Sequence, residues 1–272
     1  MSEDKNDMSF LEHLEELRFR LMRSVIAIFV IAIVFFIFKD FVFDEIIFGP
    51  RQLDFPSFRA WCKLSDLLGL GERLCVKSID YKIINTTMLG KFTAHIMVSL
   101  IGGFITAFPY VFWEFWRFIK PGLRQTESSA VRGVVFYTAL LFFSGVLFGY
   151  YGIVPLSLQF LGNYKLADVE STITIMSYMK LVASITLATG IIFQLPIAVY
   201  FLSKAGIVTP ELLKKFRRHA LVAVLVLSAI ITPPDLTSQI LVAMPVLVLY
   251  ELSIVISRRV WKKARERDQE FA

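Results

Sequence analysis

Glu12, Glu15 and Glu16 stand just ahead of the first long apolar run of this 272-residue chain. Six acidic residues fall among the first 16 positions, against one lysine. Anionic lipid at a cytoplasmic membrane surface repels carboxylates, so an acidic cluster beside it points to a cationic ligand. Arg20 follows Glu16 by four residues, so an intrahelical pair worth about 0.2–0.5 kcal/mol is the competing use of that carboxylate. Glu127, nine residues after Phe118, is a second acidic feature, whose plainer role is to offset the N-terminal dipole of the helix after it.

These carboxylates need elements to position them. Ser9-Phe10-Leu11-Glu12 fits a capping box, which starts a helix near residue 9. Leu11, Leu14, Leu17, Leu21 and Val25 then follow as an interfacial apolar stripe, while Glu12, Glu16 and Arg20 share another stripe. Beyond them the chain is 56% apolar, with 26 phenylalanines and a mean hydropathy of +0.63. That is more apolar surface than one soluble core can bury, so the class is a polytopic membrane protein. Charge-free runs near the length a bilayer requires predict six transmembrane helices, at about 22–41, 92–113, 133–155, 178–203, 219–234 and 236–257. The runs are continuously apolar, which excludes the alternation of a β-barrel. No small-residue cleavage site follows Phe38, so the first run stays as an anchor. Without an internal repeat or low-complexity linker, residues 1–272 read as one all-α integral membrane domain.

An even number of spans puts both termini on one side. Segments 1–23, 117–132, 204–218 and 258–267 carry 4, 4, 5 and 6 Lys plus Arg, 19 of the 29, which assigns that side to the cytoplasm. Residues 42–91 then form a long loop outside, holding both cysteines, Cys62 and Cys75. In an oxidising compartment they pair as a disulfide; the alternative is two reduced, unlinked thiols. A metal site is not expected, since no second pair of ligands accompanies them and His13, His95 and His219 lack ligand spacing.

Pro109, Pro155, Pro196 and Pro245 each remove a backbone hydrogen bond, so the spans should bend into a curved wall. The fifth run has fifteen uncharged residues from Ala220 to Pro234, about 22 Å of helix against a bilayer core of about 30 Å, which predicts local thinning. Thr232-Pro233-Pro234-Asp235 ends it in a tight reversal, with Asp235 free to cap the next helix. In the fourth run Ala183, Thr186, Gly190 and Gln194 share one helical face, which either packs on another helix or lines a wet groove. The second use would make the chain a small secondary transporter with Gln194 on its path. No run carries a clear mid-depth carboxylate or lysine, which argues against ion coupling. Ser184 and His95 lack any motif context for catalysis, so no enzyme is expected.

Four segments resemble one family, TatC, the multi-spanning receptor subunit of the twin-arginine protein translocase. His13-Leu14-Glu15-Glu16-Leu17-Arg18-Phe19-Arg20-Leu21 is similar to its N-terminal signature. Phe118-Ile119-Lys120-Pro121-Gly122-Leu123, ending at Glu127, resembles its first cytoplasmic loop. Phe193-Gln194-Leu195-Pro196 and Thr232-Pro233-Pro234-Asp235 with Gln239 complete the set in order. The resemblance implies Sec-independent export of folded precursor proteins from a bacterial cytoplasmic (inner) membrane, driven by protonmotive force and without a cofactor. It implies that Glu16 and Glu127 accept the arginine pair of a signal peptide, with Phe118, Leu17, Arg18, Pro121 and Leu123 in the recognition surface. It further implies single-span TatA and TatB partners near Gln194, Thr232, Asp235 and Gln239, contact with lipid, self-association as an option, and no nucleic acid. Many members of that family carry glutamate where this chain has Gln194, and the Cys62–Cys75 segment resembles an insertion.

Overall fold

The computed structural model describes residues 10–52, 54–67, 81–119, 131–164, 172–232 and 236–270. They form ten α-helices: α1 (Phe10–Ile37), α2 (Pro56–Leu67), α3 (Gly90–Ile119), α4 (Val131–Leu147), α5 (Val154–Asn163), α6 (Ile175–Ile192), α7 (Leu195–Lys204), α8 (Pro210–Lys215), α9 (Arg217–Ile231) and α10 (Leu236–Glu270). Two three-residue strands, β1 (Lys82–Ile84) and β2 (Thr172–Thr174), pair in parallel. Five stretches are long and apolar enough to cross a membrane: Leu14–Ile37, Gly90–Phe118, Gly133–Asn163, Ile175–Lys204 and Ser238–Glu266. The fold is an all-helical membrane protein, as the hydropathy pattern predicts. The fifth expected run is helical too, but α9 has only 15 residues.

The helix breaks follow local chemistry. Pro155 and Pro196 stand in the first turns of α5 and α7, where a missing N–H leaves no bond unmade. The third and fourth spans are therefore each two helical pieces, joined by a π-helical segment at Phe148–Ile153 and by the turn at Phe193–Gln194. Pro109 and Pro245 instead stay inside α3 and α10. Thr174 and Thr209 cap α6 and α8, each accepting a backbone N–H three residues on at 3.2 Å. Gly206, at φ 75°, ends α7: its N–H reaches the Ser203 carbonyl and the next N–H reaches that of Leu202, a closure that favours glycine.

The chain divides into two compact units, residues 1–42 with 92–140, and residues 43–91 with 141–272. In the first, α1 and α3 approach closely: a Cβ on Gly103 would lie 2.8 Å from the Ala32 nitrogen and the Ile28 oxygen. His95 stacks on Phe36 at 3.9 Å and its Nε2 lies 3.1 Å from the Phe36 carbonyl.

In the second unit the small-residue face of the fourth run takes the first of its two expected uses and packs on another helix. A Cβ on Gly190 would meet Phe142 and Val146 at 2.9 Å, and one on Gly145 would lie 2.6 Å from the Thr189 carbonyl. Small residues on both sides let α4 and α6 backbones approach, the usual solution where lipid offers no hydrophobic drive. The described part of residues 42–91 is more than a plain loop: it holds a π-helical segment (Phe41–Ile47), a 3₁₀ turn (Gly49–Arg51), α2 and β1. Phe55 stacks on Tyr151 at 5.3 Å and meets Tyr150 edge-on at 5.6 Å. Tyr150 and Tyr178 donate hydroxyls to the Ile46 and Ile47 carbonyls, the second at 2.8 Å. Tyr81 is buried against Gly162, and that burial pushes its hydroxyl up to about 12.

Candidate arginine-binding site

Glu16 sits on α1, four residues from Arg20, and the helix brings the two together as the spacing allows. Arg20 donates from both Nε and Nη2 to a single oxygen, Glu16 Oε1, the first at 3.1 Å. Glu16 Oε2 is buried and has no hydrogen-bond partner among the described residues. The pairing is thus side-on to one oxygen, leaving the other acceptor unmet in a half-buried side chain.

The third member of this cluster escaped the sequence reading. Glu114, on α3, is 1% exposed; its Oε2 lies 3.4 Å from Arg20 Nη1 and its Oε1 accepts the Tyr110 hydroxyl at 3.1 Å. A span ending at residue 113 stops one residue short of it, whereas α3 runs on to Ile119. The available signal was its setting, Trp113-Glu114-Phe115-Trp116, which continues the apolar helix through a single charge. Arg117 stands over the Trp113 ring at 4.8 Å, and Ser24 donates to the Arg20 carbonyl at 3.0 Å. One guanidinium is thereby shared by two carboxylates of two helices, an arrangement that binds and orients cations.

The other expected residues divide. Arg18 and Glu15 are exposed, Leu17 is 38% exposed, and Phe118 is half-buried near the end of α3. Glu127, Pro121, Leu123, Asp235 and Cys75 lie outside the described residues. Cys62 is on α2 and disulfide-bonded.

Gln194 forms the junction of α6 and α7, its backbone carbonyl accepting from the N–H groups of Ile197 and Ala198. Thr232 is buried at the end of α9 and donates to the Ser228 carbonyl at 2.9 Å. Gln239 on α10 donates to the Leu225 carbonyl at 3.1 Å, tying α10 to α9. Leu221, Val222, Val226 and Ile230 of α9 are exposed, leaving an apolar face.

A family model described as "Sec-independent protein translocase protein (TatC)" matches residues 12–245. The protein of that name from Blattabacterium sp. subsp. Periplaneta americana (strain BPLAN) is 38% identical over 265 residues, spanning 97% of this chain and all of that protein. The one from Aquifex aeolicus (strain VF5) is 34% identical, over 95% of this chain and 98% of its own. A crystal structure of a "Twin Arginine Translocase Receptor- TatC" superposes with a TM-score of 0.67 at 33% identity, covering 92% of this chain and 99% of that one. A second, of the same receptor in DDM, gives 0.70 at 35% identity, over 90% and 99%. This chain therefore belongs to the TatC family of Sec-independent protein translocase proteins.

Proposed function

We propose that this chain is the signal-peptide receptor of a twin-arginine protein translocase, with Glu16 as an acceptor for the arginine pair. The observation that carries the reading is Glu16 itself: it already holds one guanidinium on Oε1, and its Oε2 has no hydrogen-bond partner among the described residues. Glu127 supplies the second carboxylate, and Phe118, Leu17, Arg18, Pro121 and Leu123 the surrounding surface. Six spans, with α9 as the short fifth, put both termini in the cytoplasm of a bacterial inner membrane, where the basic segments already cited belong. The chain works as one non-enzymatic membrane domain, scaffolding single-span TatA- and TatB-type subunits while protonmotive force drives transport.

Partner helices gather beside α9, whose exposed apolar face and 15-residue length suit helix contact and a thinned bilayer. There the bonds of Thr232 and Gln239 to α9 carbonyls hold the hairpin in shape. Cys62 pairs with Cys75 in the outside segment, the two being the chain's only cysteines. A transporter path along Gln194 has no support, given how closely Gly145 and Gly190 are packed.

Photo-cross-linking of a twin-arginine signal peptide to the native chain, Glu16→Ala and Glu127→Ala tests the reading. Loss of the cross-link in both variants is expected; undiminished cross-linking in both would overturn the assignments. Lengthening α9 by four leucines is expected to impair export, and full export would remove the thinning argument.

A further inference from the structure

Resting on that reading, we propose that Arg20 is a resident stand-in for a signal-peptide arginine, and that Glu114 is the positioning residue that takes Arg20 over when the peptide claims Glu16. Arg20 engages Glu16 through one oxygen only, with Oε2 buried and unpartnered among the described residues, so the resident pairing falls short of the two-oxygen fork that a guanidinium and a carboxylate can form. An incoming arginine free of the i,i+4 constraint can make that fork once the half-exposed Glu16 carboxylate turns Oε2 outward, a rotation that releases the resident.

The displaced guanidinium has a destination. Arg20 is 14% exposed and already 3.4 Å from Glu114, a separation longer than an ordinary hydrogen bond and free to shorten. Glu114 is 1% exposed, and among the described residues Arg20 is the cation within ion-pair distance of it. Burial without a partner is costly for both groups, so neither can be abandoned during the exchange. Tyr110 holds the other Glu114 oxygen at 3.1 Å and keeps Oε2 aimed at Arg20.

The consequence is selectivity. A ligand must outcompete a resident guanidinium, and the apparent affinity of any ligand is lowered by the fraction of Glu16 already occupied. An arginine pair recovers this through the fork; a lysine pair, with point-charge ammonium groups, does not.

The test measures binding of a synthetic twin-arginine peptide and its twin-lysine counterpart to the full chain in lipid nanodiscs. In Glu114→Gln, Arg20 loses its alternative partner and holds Glu16 harder, so twin-arginine binding should weaken about tenfold. In the double variant Arg20→Gln/Glu114→Gln, both members of the pair between α1 and α3 are neutral, and Glu16, with its side chain 27% exposed, is left without its resident cation. Twin-arginine binding should return to native strength or better, and the twin-lysine peptide should gain more than the arginine one. A merely structural role for Glu114 also allows recovery in the double variant, because the stranded charge is gone, but it gives the twin-lysine peptide no larger gain than the twin-arginine one.

The proposal is overturned if Glu114→Gln binds as the native chain does, if the double variant binds no better than Glu114→Gln, or if its gain for the twin-lysine peptide is no larger than for the twin-arginine one. Should Glu114→Gln fail to fold, the charge-neutral double variant decides alone, and binding below native strength overturns the proposal. Glu16→Ala separates the two levels: unchanged peptide binding there removes the receptor reading itself, whereas lost binding leaves the placeholder role to be judged by the other variants.

Discussion

α1 and α3 meet through a charged cluster, Arg20 between Glu16 and Glu114, whereas α7 and α10 meet through neutral hydroxyls, Ser203 donating to Ser257 at 2.8 Å. The first is part-buried around a buried Glu114 and the second is fully buried, and their energetics differ. Buried hydroxyl pairs between membrane helices are worth about 0.6 kcal/mol each and ask little of their surroundings. A buried ion cluster gains little over apolar packing and becomes strongly destabilising once one partner is removed. In the second unit a neutral side chain also ties α10 to α9 at Gln239, while Ser228, Thr189 and Ser253 satisfy their hydroxyls on carbonyls of their own helices. The charged cluster is where helix packing alone gives no reason for the chemistry, and that is where we propose ligand recognition.

Removing one member of each contact should expose the contrast. Glu114→Ala strands Arg20 beside a single acceptor and should cost about 3–5 kcal/mol, read from thermal unfolding in detergent. A loss within 1 kcal/mol would erase the distinction between the two regions, since about that much is expected of a neutral contact. Gly103→Val forces a branched side chain against the backbone of Ala32 and Ile28, and should cost about 1–3 kcal/mol by overpacking. Gly133→Ala is its control, for among the described residues nothing lies within 4 Å of a Cβ at that position; helix propensity there should raise stability by up to about 1 kcal/mol. Gln239→Leu gives up the bond to the Leu225 carbonyl and should cost about 1 kcal/mol, visible as faster amide exchange in α9. Ser203→Ala is the smallest change, at about 0.6 kcal/mol in the same unfolding experiment.

The membrane class, most span positions and the short α9 were legible because hydropathy and charge act over long windows. Glu16 with Arg20 was legible from helical spacing. Glu114 was not, because its partner comes from a helix 94 residues away and an apolar count stops at the first charge. The described structure between Val42 and Lys91 was hidden for a related reason: β1 and β2 have three residues each, too few for a strand period, and their pairing joins Lys82 to Thr172. π-helical segments such as Phe148–Ile153 leave no pattern of their own, although Pro155 marks where one ends. The face of Ala183, Thr186 and Gly190 was visible, while its use depended on Phe142 and Val146, which only the packed structure brings against it.

The central claim is that Glu16 recognises a guanidinium fork, and a binding cycle between protein and peptide addresses it most directly. Twin-arginine and twin-lysine peptides are titrated against the native chain and Glu16→Gln. The native chain should prefer the arginine pair by about tenfold or more, and Glu16→Gln should bind both weakly with the preference gone. Full arginine preference retained by Glu16→Gln would contradict it.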